Sequence, residues 1–175
     1  MDNRRHFIKK SAFGSVGLIG LKSFSLADLP RDEVRSLTIA HTNDMHSHID
    51  PFPPTHHEYP GQGGMESRAT ELDQLRARYG ELLLLDSGDI FQGTPYFNYF
   101  GGRLELELMS MMGYDAATMG NHDFDGGMDG FLRAQKRADF PFICSNYDMS
   151  DSPLNGQTIG HKVIKKQGIK VGLFG

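Results

Sequence analysis

Four consecutive leucines, Leu82–Leu85, form the longest unbroken leucine run in the chain, and Asp86 ends it. A run of this kind suits a strand buried on both faces, so Glu81 to Asp86 is predicted as a central strand. Upstream, Ser36 to Thr42 alternates apolar and polar positions around Leu37 and Ile39 and predicts a shorter strand. Between them, residues 50–64 are rich in Pro, Gly and His and read as a loop. Met65 to Tyr79 has helical spacing, with Met65, Ala69, Leu72 and Leu75 on one face and Gly80 as the stop.

The alternation continues downstream. Pro95 to Met112 predicts a helix in two pieces, broken at Gly101-Gly102. Tyr114 to Met119 reads as a strand, Gly127 to Ala138 as a helix, and Phe140 to Ser145 as a further strand. Ile159 to Lys166 and Ile169 to Phe174 predict a hairpin turning at Gln167-Gly168. Strands alternating with helices imply an α/β fold with a largely parallel centre.

Polar residues of one kind follow the strands. Asp44 and His46 follow the first, Asp89 the second, and Asn121 and His122 the third. Ligands in open α/β sheets bind outside the carboxyl ends of strands, so these positions are expected to converge. Asp, His, Asp and Asn form a hard-donor set for two divalent metal ions. Asp44 and His46 are two apart, so an extended segment can present both on one side. The two oxygens of Asp89 could bridge cations roughly 3.5–4 Å apart. His122, with Asp125 three residues on, has the makings of an acid/base dyad. The chemistry indicated is metal-assisted hydrolysis of a phosphate ester.

The N-terminus adds a targeting expectation. Arg4 and Arg5 sit in a twin-arginine pattern, a weakly apolar run follows from Ser11 to Leu21, and Ser25-Leu26-Ala27 offers small residues for a peptidase. Residues 1–27 are expected to be a twin-arginine signal cleaved after Ala27, with 28–35 a linker. The implied partner is the twin-arginine translocase, and the implied location is periplasmic or exported. The run is too short for a stable membrane span. Without residues 1–27, 13 basic and 21 acidic residues remain, a formal net charge of −8. That balance argues against binding bulk nucleic acid. The single Cys144 cannot form an internal disulfide and is expected as an inert core thiol.

The run Asp86-Ser-Gly-Asp-Ile-Phe-Gln-Gly-Thr94, then Met119-Gly-Asn-His-Asp-Phe-Asp125, resembles the 5′-nucleotidase branch of the calcineurin-like metallophosphoesterases. The opening His41-Thr-Asn-Asp-Met-His46 is similar to the same family, and the resemblance covers roughly residues 36–175. It implies a four-layer α/β/β/α sandwich, of which 36–175 would be the N-terminal portion, incomplete at its C-terminus. It implies two divalent ions (Mn²⁺, Zn²⁺, Co²⁺ or Fe²⁺) at Asp44, His46, Asp89 and Asn121, with Asp89 bridging. It also implies substrate contacts from Asn121 and His122, and a catalytic dyad of His122 and Asp125. The substrate would be a small nucleotide or nucleotide sugar, attacked by a metal-activated water.

The family completes its metal sites with later histidines that this chain does not reach, so little activity is expected from this piece alone. His161 lacks the paired histidine of such a motif and is expected on the surface, like His56 and His57. His48 and Asp50 are either supporting partners of the site or solvated loop residues. Asp86 is expected to make structural hydrogen bonds, and Lys165, Lys166 and Lys170 to form a solvated hairpin face. Two alternatives to nucleotide hydrolysis stay open: a thiosulfohydrolase-type relative in sulfur oxidation, and a non-catalytic protein that kept the scaffold.

Overall fold

The computed structural model describes residues 34–175. The expected signal, Arg4 and Arg5 included, and most of the expected linker lie outside the described residues. Ser36–Gly175 packs as one compact unit.

β1 (Thr38–Thr42), β2 (Leu82–Asp86) and β3 (Ala116–Ala117) form a parallel sheet in that order. β1 lies along β2 from Thr38 against Leu82 to Thr42 against Asp86. Leu83 and Leu84 are essentially inaccessible, as a strand covered on both faces requires. β1 differs: its alternate residues Ile39 and His41 are exposed. α1 (Met65–Tyr79) matches the helix expected from its apolar spacing and buries Met65 and Leu72. The predicted break at Gly101-Gly102 separates α2 (Pro95–Phe100) from α3 (Arg103–Met111), both glycines having positive φ. α4 (Gly127–Gln135) buries Phe131, whose ring meets Phe142 edge-on at 4.9 Å between centroids. β4 (Lys162–Lys166) and β5 (Ile169–Leu173) form the expected antiparallel hairpin. Its turn residues Gln167 and Gly168 both have positive φ, the geometry that matches strand twist. Cys144 is buried and His161 exposed.

Four expectations need correction. The strand expected over Tyr114 to Met119 is reduced to the two residues of β3. Phe140 to Ser145 is an extended segment with two isolated bridges, not a regular strand. It bonds β3 on one side (Ile143 N–H to Ala117 O, 2.8 Å) and Ile159 on the other (Cys144 N–H to Ile159 O, 2.9 Å). Pro141 has no N–H to give, and β3 offers only two residues. α4 stops at Gln135, three residues early, because Arg137 and Ala138 donate to carbonyls three residues back and tighten the end. Lys166 is not solvated. Its Nζ lies 2.8 Å from Asp115 and donates to the Leu82 carbonyl at 2.6 Å, tying the hairpin to β2. Lys165 and Lys170 are exposed as expected. Among the described residues the four layers of the expected sandwich are not complete: they hold this parallel sheet and the two-stranded hairpin.

Asp86 is structural, as its place before Ser87 suggested. It accepts from Thr42 Oγ1 (2.6 Å) and Gly88 N–H (2.8 Å). Thr42 has one hydroxyl proton, so it accepts in turn from the Tyr114 hydroxyl at 2.8 Å. Burial pushes the Asp86 carboxyl up to about 6 from 3.8, against the lowering effect of those two hydrogen bonds. Its ionised form is therefore disfavoured in the folded state. Below pH 4 this carboxyl is protonated folded or unfolded, and the penalty is absent. It grows as pH rises and is fully present above pH 6. Asp86→Asn should flatten the fall in melting temperature between about pH 4 and pH 6. Thermal melts across that range read the effect, and an unchanged slope would contradict this account.

Candidate metal centre and its acid/base pair

The loop after β1 is bonded to the loop after β2. Asp44 N–H donates to Gly88 O (2.9 Å), His46 N–H to Asp89 O (3.0 Å) and Ser47 N–H to Ile90 O (2.9 Å). Met45 and Ser47 are buried, while Asp44 and His46 face outward. Met45 points inward between them as expected, but the segment is not extended: Asp44, His46 and Ser47 all have positive φ, so a turn presents the pair. Asp44, His46 and Asp89 all lie in the left-handed region, with φ of 51°, 49° and 56°. Each such non-glycine residue costs roughly 1–2 kcal/mol, a strain that concentrates at functional sites.

The third loop is pressed against the second. A Cβ on Gly88 would collide with the Gly120 backbone, and one on Gly120 would collide with the Asp89 carboxylate. Both must therefore be glycine for the loops to touch. His122 N–H donates to Asp89 Oδ1 at 3.0 Å. Asn121 starts the 3₁₀ turn His122–Phe124 and is exposed.

Asp123 holds this arrangement together and was missed in the sequence. It is 1% exposed. Its Oδ1 accepts from Ile90 N–H (2.9 Å) and Phe91 N–H (3.1 Å), and its Oδ2 from Gly120 N–H (2.8 Å) and Asp89 N–H (3.1 Å). Burial raises its pKa, and the four N–H donors oppose that rise. The available signal was an acid three residues after Gly120 at the mouth of a helical turn, where a carboxylate satisfies free N–H groups.

Donor atoms of Asp44, His46 and Asp89 lie within 4.8 Å of one another. His46 Nδ1 is 3.1 Å from the Gln92 carbonyl. A carbonyl only accepts, so Nδ1 carries the proton and Nε2 presents its lone pair beside Asp44 Oδ1, 3.8 Å away. Two carboxylates and one imidazole of fixed tautomer fit a hard divalent cation.

The His122 ring stands 5.2 Å from the His46 ring, steeply inclined to it. Its Nδ1 lies 2.8 Å from Asp125 Oδ2. That hydrogen bond is the largest cause raising the His122 pKa, with burial opposing. The six residues expected at the site thus fall on three adjoining loops.

The remaining sequence candidates lie on the flank. Asp50 accepts from the Tyr96 hydroxyl at 2.8 Å. His48 is half-buried against Phe52, and burial lowers its pKa. His56 is more than a surface histidine. Its ring lies 4.6 Å from that of Phe52, tilted by 42°, and its Nδ1 accepts from the Tyr59 N–H at 3.0 Å, which shapes the Pro-rich loop.

Residues 37–171 match the family model for calcineurin-like phosphoesterases. The chain belongs to the calcineurin-like phosphoesterase family. It is 39% identical over 146 residues to a snake venom 5′-nucleotidase from Gloydius brevicauda, covering 79% of this chain and 25% of that protein. It is 34% identical to a 5′-nucleotidase from Vibrio parahaemolyticus, across 99% of this chain and 31% of that protein. A 5′-nucleotidase precursor from Thermus thermophilus superposes with a TM-score of 0.73 at 37% identity, over 79% of this chain and 28% of that one. The fold is therefore the α/β metallophosphoesterase fold. The chain spans about a quarter to a third of the length of these relatives.

Asp123→Ala would leave four N–H groups without their acceptor. It should destabilise the chain by roughly 3–5 kcal/mol, the scale of a broken buried polar network. Asp123→Glu, which keeps the carboxylate but must displace the loops, should cost less. Denaturant unfolding of both variants checks the order; an Ala variant as stable as the parent would show that the clamp is dispensable.

Proposed function

We propose that the whole protein is an exported phosphohydrolase of 5′-nucleotidase type, acting on nucleotide or nucleotide-sugar phosphate esters with two divalent metal ions. The observation that carries this reading is the meeting of three metal-type donors within 4.8 Å of one another with a His–Asp pair whose ring stands 5.2 Å from that of His46. The 5′-nucleotidase relatives support the choice of substrate. Asp44, His46 and Asp89 would hold one ion, and Asp89 with Asn121 would begin the second site. Bound there, the ions would supply Lewis acidity toward the phosphoryl group and lower the pKa of water toward neutral pH.

The chain's own groups supply the rest. His122 presents Nε2 to a phosphoryl or leaving-group oxygen, and Asp125 holds Nδ1 and keeps the ring protonated to higher pH. The left-handed backbone at Asp44, His46 and Asp89 fixes donor directions before substrate arrives. The twin-arginine pattern at Arg4 and Arg5 supports export through the twin-arginine translocase to the periplasm. Among the described residues no helix is long and apolar enough to cross a membrane.

Three measurements on the full-length protein test this reading. His122→Ala should lower turnover of a nucleoside monophosphate by roughly 10²–10⁴. Turnover equal to the parent's would remove His122 from the mechanism. Asp125→Asn removes the group that raises the His122 pKa, so His122 loses its proton at lower pH. The basic limb of the pH–rate profile should then move to lower pH, and a limb that stays put would argue against His122 as the acid. Asp89→Asn should lower bound metal, counted by elemental analysis, by more than one ion per chain; an unaltered count would exclude Asp89 as a bridging ligand.

A further inference from the structure

A cavity of about 330 Å³ lies beside the metal loops, between α2, the start of α3 and the first turns of α4. Its walls include the rings of Phe97, Tyr99 and Phe100. Four of the six residues of α2 are aromatic and none is fully buried: Phe97 packs partly on the core, its ring 5.7 Å from that of Phe91, while Tyr99 and Phe100 are exposed. Tyr99 is 81% exposed.

Two arginines, Arg103 and Arg133, also line the cavity. Each has a carboxylate four residues away on its own helix, Glu107 and Asp129, the spacing at which helical ion pairs form. Neither pairing occurs. Glu107 goes to Arg137 at 3.9 Å, and among the described residues no carboxylate lies within 4.0 Å of Arg103 or Arg133. Arg103 is held by its Nε, which donates to the Phe100 carbonyl at 3.0 Å, so its terminal nitrogens remain for another partner. An Arg133 terminal nitrogen lies 3.7 Å from where a Cβ of Gly130 would stand, ordinary contact distance, so the guanidinium lies along the Gly130 face of α4. Among the described residues the only carboxylate lining the cavity is Asp123, and both its oxygens already accept two backbone N–H bonds each.

We propose that this cavity is a second binding site, apart from the metal cluster, for a nucleoside monophosphate. The planar base packs among Phe97, Tyr99 and Phe100, since aromatic rings accept any base through its face. The phosphate lies between Arg103 and Arg133, whose forked guanidinium donors match phosphate oxygens. The volume stands at the lower end of small-molecule sites and suits one nucleotide. The proposal requires no hydrolysis and no metal, so it stands or falls separately from the reaction proposed above.

The test is photolabelling of the full-length protein with 8-azidoadenosine 5′-monophosphate in EDTA, with the labelled peptides mapped by mass spectrometry. Label is expected on residues 95–103 or 126–133, competed by AMP and far less by adenosine or inorganic phosphate. Arg103→Gln with Arg133→Gln should reduce it about tenfold or more, as loss of charge-assisted bonds demands. Arg103→Lys with Arg133→Lys, which keeps the charge, should retain more label than the glutamine pair. Label confined to the metal loops or to other parts of the protein would overturn the proposal. So would label in the cavity that survives the glutamine pair, or that inorganic phosphate or adenosine competes as well as AMP.

Discussion

Four backbone N–H groups from two loops converge on one buried carboxylate, and the site depends on that convergence. Without Asp123, the N–H groups of Asp89, Ile90, Phe91 and Gly120 would lose their shared acceptor, those of Ile90 and Phe91 in the buried interior. With it, the loop after β2 and the loop after β3 become one rigid body. Gly88 and Gly120 then allow the two backbones to touch, and the loop after β1 is bonded to the assembly at Asp44, His46 and Ser47. The side chains with chemical potential are thus attached to a frame made mostly of main chain.

That frame explains why strained residues sit where they do. A left-handed aspartate or histidine is disfavoured when the chain is free to relax. Here the hydrogen bonds of Asp44, His46 and Asp89 run through their own N–H and C=O groups, so relaxing one residue would break bonds made by its neighbours. The strain is held by the same bonds that set the register of the loops.

Much of this was legible in the sequence because the signals were local. Leu82–Leu85 marked the central strand, Gly101-Gly102 the break between α2 and α3, and Gln167-Gly168 the hairpin turn. Each follows from a few neighbouring residues. That the six candidate residues would fall on adjoining loops was legible because a parallel sheet delivers its strand ends to one side. What was not legible depended on partners distant in the chain. Lys166 looks like one more hairpin lysine until Asp115 and the Leu82 carbonyl are brought beside it. Asp123 looks like a spare acid until the loop after β2 presents three N–H groups to it. Phe140 to Ser145 has a strand's composition, yet its pairing depends on how much of β3 is there to pair with.

The Lys166 tie has a consequence of its own. It grips the sheet at Leu82, where β2 begins, and at Asp115, just before β3. The loops carrying Asp44 and Asp89 leave β1 and β2 at their other ends, four residues or roughly 13 Å beyond the level of Leu82. Asp115 stands level with Leu84, and the loop carrying His122 leaves β3 two residues after Asp115. One end of the sheet is stapled by a charged side chain and the other by main-chain hydrogen bonds. Drift in sequence around the hairpin tip is therefore free to retune how firmly the start of β2 is held, at a distance from the loops that β1 and β2 deliver.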